Sequence, residues 1–334
     1  MGDVLVLLGS MVLVFFAAIL FVNAIEYVGF RHRLGSSFVG AILAPLFTSV
    51  PELTVFLVAV FAGGTAAGEE IGIGTLFGQP FMASSLSYGL VGIAALVGFL
   101  LKRRDKSFLV VDKSLAVPYI FITILFPLAL IPGIVEADLA KHMFALIFLA
   151  AFLFYIWLMF RKKGAELIEE CEECYFHKRG KKVIASPMLA ALVQIAVAGG
   201  ILYFGSKNMV NSVDDLAQSM GMSAFGLALI LVPAATAIPE TASALIWGYR
   251  GKDTLSLGSL VGEKILYSTF YPGLGLFVTA WALDKHAYFS VAATTAISLI
   301  LLYYILKGRL PWFGLMTGLF FFVAYAILIF VVHF

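Results

Sequence analysis

Residues 44–54 read APLFTSVPELT and residues 232–242 read VPAATAIPETA. A gapless shift of 188 residues lays one on the other, so that Pro45 meets Pro233, Thr48 meets Thr236, Pro51 meets Pro239 and Glu52 meets Glu240. Two unrelated apolar stretches match in leucine and valine by chance, but matched prolines and carboxylates point to a duplication. The same shift aligns 21–52 with 209–240, placing Asn23 on Asn211 and Glu26 on Asp214. With four residues inserted in the first copy, GTLFGQPFMASS (74–85) then lies over GSLVGEKILYST (258–269), pairing Gly74, Leu76, Gly78 and Ser84 with Gly258, Leu260, Gly262 and Ser268.

The duplicated unit is built almost entirely of hydrocarbon. Of 334 residues, 62% are hydrophobic and 13% charged, and the mean hydropathy is +1.02, far above that of soluble domains. The implied partner is a lipid bilayer. No nucleic-acid partner is expected; the net charge of +2 says nothing about one, because the basic residues are confined to short segments between apolar runs. Runs long enough to span a membrane fall at 4–26, 37–62, 72–101, 115–134, 142–160, 187–207, 223–248, 255–283, 286–306 and 311–333. The first lacks a basic leader and a small-residue cleavage site, so it reads as a retained helix.

An outside N-terminus puts eighteen of the 22 lysines and arginines on inner loops, leaving Lys141, Lys207 and Lys285 outside and Lys264 within a span. The positive-inside rule therefore predicts a multi-pass protein of the cell membrane, with both termini outside and the 162–186 loop cytoplasmic. Five helices per copy is an odd number, so the second copy enters the membrane from the opposite side. The expected fold is an all-α integral membrane protein of ten transmembrane helices in two inverted-topology five-helix repeats. These are 1–161 (with its motif at 44–92) and 187–334 (motif at 232–276), joined by the charged loop 162–186. Inverted repeats of this kind suit a secondary transporter with its site at the midplane.

Prolines inside a helix remove backbone hydrogen bonds, so Pro45 and Pro51 are expected to loosen the second helix near its middle. The freed carbonyls are tolerated only where they are buried in protein or line a polar cavity. Glu52 and Glu240 at that depth need a cation, a proton or a hydrogen-bonded partner. With the hydroxyls of Thr48, Ser49 and Thr236 they form an all-oxygen set, which hard cations such as Ca²⁺ prefer.

TSVPEL (48–53) and TAIPET (236–241), each followed by G-x-x-x-G (74–78 and 258–262), resemble the two α-repeats of the cation/Ca²⁺ antiporter superfamily. Its sodium/calcium exchangers carry G-T-S-x-P-E and G-N-x-x-G-S-N. The resemblance implies exchange of Ca²⁺ against Na⁺ or H⁺ by alternating access, with no cofactor. Carried over by position, it puts the ion site on Thr48, Ser49, Glu52, Gln79 and Ala83, and on Thr236, Ala237, Glu240, Glu263 and Tyr267. Gln79 and Glu263 stand where the family has serine, Pro80 and Lys264 where it has asparagine, and Ala83 and Tyr267 where it has asparagine or aspartate.

These departures are chemical. Losing oxygens at 83 and 267 weakens sodium coupling most. Three carboxylates and Lys264 leave a formal charge of −2, which balances one Ca²⁺ or two protons. Alternatively Lys264 reaches Glu52 or Glu240 as a tethered cation, leaving a transporter of another cation or a non-transporting sensor or scaffold. Pro80 is expected to kink the third helix. In the charged loop, Cys171, Cys174 and His177 have zinc-ligand spacing, against the plainer reading of a solvated linker. Glu69 and Glu70 read as a solvated turn, and Asn23, Glu26, Asn211 and Asp214 as either pathway-lining or helix-capping groups. An intramembrane enzyme is disfavoured, because no nucleophile or H-E-x-x-H constellation is present.

Overall fold

The computed structural model describes residues 2–31, 46, 49–62, 67–135, 137–161, 173–180 and 186–332, apart from the side chains of 2, 3, 26, 29, 30, 160, 180 and 238–240. Helix α1 spans Gly2–Arg31 and α2 spans Val50–Phe61. Helix α3 (Gly68–Met82) passes through a π-helical turn at Ala83–Ser87 into α4 (Tyr88–Leu100). Strand β1 (Phe108–Val110) precedes α5 (Ala116–Leu128), the single turn α6 (Ile131–Ile134), α7 (Asp138–Arg161) and the short α8 (Tyr175–Gly180). Then come α9 (Pro187–Met220), α10 (Ala224–Thr236), α11 (Ile238–Tyr249), α12 (Asp253–Ser268) and α13 (Phe270–Val278). Helix α14 (Lys285–Leu306), β2 (Arg309–Pro311) and α15 (Trp312–Phe330) complete the order.

Helices dominate because a backbone in hydrocarbon must satisfy its own hydrogen bonds. Their outward faces carry Leu5, Phe61, Leu139, Phe204 and Phe320, all strongly exposed, as a lipid-facing surface requires. Among the described residues seven helices are long and apolar enough to cross a membrane, and eight if α10 and α11, bent by 61°, form one span. Within the expected run 37–62 the described residues form the 12-residue α2, and the run 255–283 is divided at Thr269.

That division is a correction. The kink expected at Pro80 is absent as a break: the helix continues from Gly68 to Leu100, and its irregularity is the π turn three residues later. Its counterpart breaks instead. Thr269 leaves helical geometry (φ −138°, ψ −78°) three residues before Pro272, whose ring cannot accept the carbonyl of Ser268 beneath it. Helix α9 also outruns its expected end at 207. Met209, Val210, Val213 and Ala217 keep one buried face going until Gly221 stops the helix with φ +64°.

The most extensive helix pairings are α1 with α9 and α3 with α10. Shifting α2 by 188 residues reproduces the bounds of α11. The fold is all-α as expected; the described residues add a small antiparallel ribbon in which Leu109 faces Leu310. Arg104 fixes it. The guanidinium meets Asp253 at 3.1 Å and donates to the carbonyls of Gly248 and Phe108, while Asp253 accepts the amide of Val110 at 2.7 Å.

Candidate cation site

Pro51 and Pro239 occupy the first turns of α2 and α11. A first-turn proline sacrifices no hydrogen bond, since those N–H groups have no intrahelical partner. Pro51 and Pro239 therefore begin new helices, and the 61° bend between α10 and α11 puts the second of these starts at a break within the apolar run 223–248; Pro45 lies outside the described residues. The consequence falls on the next residue. Glu52 is the third residue of α2 and Glu240 the third of α11, so each backbone position faces the positive end of a helix dipole. The side chain of Glu240, like Thr48, lies outside the description.

Glu52 is 1% exposed. Its Oε1 accepts the amide Nε2 of Gln79 at 3.1 Å, while its Oε2 and the Oε1 of Gln79 have no hydrogen-bond partner. Thr236, at the end of α10, and Glu263, on α12, face the same carboxylate. Residues named from the sequence thus converge from α2, α3, α10 and α12. Two buried carboxylates repel unless a cation or proton lies between them. The unpartnered oxygens are lone-pair donors of the type that hard cations take.

Ser49 does something the sequence did not announce. It precedes α2 without capping it, and its hydroxyl lies 2.5 Å from that of Tyr271 on α13. The ring of Tyr271 packs on that of Tyr267, with centroids 4.5 Å apart. Tyr271 lies inside the motif at 232–276 but beyond residue 269, where the residue-by-residue alignment stops; the helix break before Pro272 brings it here. Ser84 and Ser268, which align in the two copies, are both fully buried with unpartnered hydroxyls.

Lys264 is not at this site. Residues 263 and 264 point about 100° apart on a helix, and the amine turns away, donating to Ser298 Oγ at 3.0 Å. It lies 5.3 and 5.2 Å from the ring centroids of Tyr88 and Tyr119. Among the described residues no carboxylate pairs with it, so the tethered-cation arrangement is not met at Glu52. Hydroxyl and aromatic faces hold the amine instead.

The glycines of the motif serve packing. A Cβ at Gly74 would strike the carbonyl of Phe225, and one at Gly78 that of Leu229, so two glycines four apart let α3 lie against the backbone of α10. Gly258, the partner of Gly74, faces open space, and the halves differ there.

The zinc spacing does not become a metal centre among the described residues, where no three His, Cys, Asp or Glu groups converge. Cys171 lies outside them. Cys174 is buried and donates its thiol to Gln194 Oε1 at 3.0 Å, and His177 lies 3.7 Å from Glu173. Gln194 and Asn23 bond each other and the start of α8, so Asn23 is a structural tie. Glu69 accepts the amide of Ala280, whereas Glu70, Asp214 and Asp284 line one cleft of about 560 Å³.

The sodium/calcium exchanger protein family model matches residues 3–161 and 190–334. The chain belongs to that family. The antiporter CaxA of Alkalimonas amylolytica, itself described as putative, is 28% identical over 120 residues, 34% of this chain and 38% of that protein. The inner membrane protein YrbG of Escherichia coli K12 is 23% identical over 260 residues, 75% of this chain and 72% of that one. Among solved structures, the H⁺/Ca²⁺ exchanger CAX superposes with a TM-score of 0.75 at 17% identity, covering 99% of this chain and 83% of its own. The sodium-calcium exchanger NCX_Mj does so with a TM-score of 0.59 at 19% identity, covering 97% of each. The fold is that of membrane exchangers, which are secondary transporters rather than enzymes.

Proposed function

We propose that this chain is a secondary active antiporter exchanging Ca²⁺ against H⁺ by alternating access. One observation carries the reading: the buried Glu52 carboxylate, facing Glu263 and Gln79, keeps its Oε2 without a hydrogen-bond partner, beside the equally unpartnered Oε1 of Gln79. Protons are favoured over Na⁺ as the coupling ion because Ala83 and Tyr267 stand where the resemblance implies asparagine or aspartate. Carboxylates that hold Ca²⁺ when ionised are neutral when protonated, so either ion relieves their repulsion.

The architecture we propose is ten spans in two inverted five-helix repeats, 1–161 and 187–334, around this site, with Glu240 as the counterpart of Glu52. The matched bounds of α2 and α11, and the fall of shifted α1 (190–219) inside α9, support it. Outside termini and a cytoplasmic 162–186 loop are supported by the basic segments around Arg104, Arg250 and Arg309, which meet at the ribbon end.

The test is ⁴⁵Ca²⁺ uptake into proteoliposomes under an imposed pH gradient, with and without a Na⁺ gradient. Uptake driven by pH alone, and lost in Glu52→Gln, supports the proposal. Uptake that requires Na⁺ would assign the coupling ion to sodium.

A further inference from the structure

Ser49 stands directly before α2, close in sequence to Glu52, where its hydroxyl and its main-chain carbonyl are both oxygens of the kind a hard cation takes. Both are already engaged. The hydroxyl does not cap α2; it donates its one proton to the Leu46 carbonyl at 3.1 Å, so the Tyr271 hydroxyl, 2.5 Å away, is the donor in the contact between them. The same phenol reaches the Ser49 carbonyl at 3.3 Å, where the Leu53 amide donates at 3.0 Å. One side chain of α13 thus holds both oxygens of Ser49.

The other Pro-Glu stretch reaches the same result by other means. Ala237, the counterpart of Ser49, has no hydroxyl, and its carbonyl accepts the Thr241 amide at 3.1 Å and the Thr241 hydroxyl at 2.8 Å. That hydroxyl lies 2.8 Å from the one on Ser87. Continued by two residues, the alignment of 74–85 over 258–269 pairs Ser87 with Tyr271. The oxygens before each Pro-Glu pair are therefore closed by hydroxyls, and aligned positions take part in both closures.

Tyr271 is 1% exposed, its ring packs on Tyr267, and Glu52 and Glu263 lie within electrostatic reach of its hydroxyl. It forms a wall of the candidate site. We infer that Tyr271 excludes Na⁺ from this site by withholding the hydroxyl and carbonyl of Ser49 from the cation. A divalent ion gains about twice the Coulomb energy of a monovalent one from each carboxylate, whereas a monovalent ion leans on neutral oxygens to replace its water. Ala83 and Ala237 bring no side-chain oxygen, and Tyr271 takes up that of Ser49. Tyr271 is a positioning residue, acting through Ser49.

This inference rests on the antiporter reading, and two readouts separate them. Wild type, Tyr271→Phe, Ser49→Ala and the double variant are reconstituted, and ⁴⁵Ca²⁺ uptake under a pH gradient is titrated with NaCl, ionic strength being held constant with N-methyl-D-glucamine chloride. Tyr271→Phe should lower the half-inhibiting Na⁺ concentration by about tenfold, the upper net contribution of one hydrogen bond, and adding Ser49→Ala should restore the wild-type value. Tyr271→Leu removes the same hydroxyl if the phenylalanine variant does not fold. The rise in thermal unfolding midpoint on adding NaCl needs no transport; it should appear in Tyr271→Phe and be absent from wild type and the double variant. Equal Na⁺ sensitivity in wild type and Tyr271→Phe, or a gain that survives Ser49→Ala, overturns the inference, as does wild-type uptake that requires Na⁺. Absence of ⁴⁵Ca²⁺ uptake in wild type, with the expected pattern of midpoints intact, sinks the calcium reading alone.

Discussion

Gln79 donates its amide Nε2 to Glu52 Oε1 at 3.1 Å, across α3 and α2, while Glu52 Oε2 and Gln79 Oε1 have no hydrogen-bond partner. The amide fixes one carboxylate oxygen and leaves the other directed at the site. Gln79→Leu should therefore raise the KM for Ca²⁺ about 10–100-fold, the usual cost of losing a group that orients a ligand. Glu52→Gln should remove uptake altogether while the protein still elutes as a folded species in size-exclusion chromatography. Full flux in Glu52→Gln would remove this carboxylate from the mechanism.

The hydroxyls of Ser49 and Tyr271 lie 2.5 Å apart between α2 and α13. If this contact couples the glutamate-bearing helix to the broken helix, Ser49→Ala and Tyr271→Phe should not be additive. A double-mutant cycle on Ca²⁺ affinity should return a coupling of about 0.5–1.5 kcal/mol. Additive effects would make the pair incidental to binding.

Gly78 has the backbone of Leu229 where a side chain would begin. Gly78→Ala must push α3 from α10, at a cost of about 1–3 kcal/mol. Thermal unfolding in detergent should show a lower midpoint for Gly78→Ala, with little change for Gly258→Ala, whose added methyl meets nothing within 4 Å. Equal shifts in the two variants would contradict this packing asymmetry.

Arg104 and Asp253 form a buried pair at 3.1 Å at the ribbon end. Arg104→Ala strands Asp253 among the groups that surround it and should destabilise the protein by about 3–5 kcal/mol. The midpoint of thermal unfolding should fall accordingly. An unchanged midpoint would show that the ribbon contributes nothing to the fold.

Much of the candidate site was legible in the sequence because its chemistry is expensive in a membrane. Glu52, Gln79, Thr236 and Glu263 stood out as polar groups in aligned apolar runs, and they meet in space. The Pro-Glu pairs marked the starts of α2 and α11, and the 61° bend between α10 and α11 shows that a first-turn proline can sit at a break within an apolar run. In the charged loop, Cys171 lies outside the described residues, and local spacing is silent about Gln194, twenty residues on, which takes the Cys174 thiol.

What the sequence determined by itself was the membrane class and the pairing of the two Pro-Glu motifs, since composition and paired motifs survive without coordinates. Tertiary structure alone decided where Lys264 points and that Tyr271 meets Ser49. The physical reason is rotation. A helix turns each successive side chain by about 100°, so Glu263 and Lys264, adjacent in the chain, serve different faces, and only the neighbouring helices fix which face each one meets.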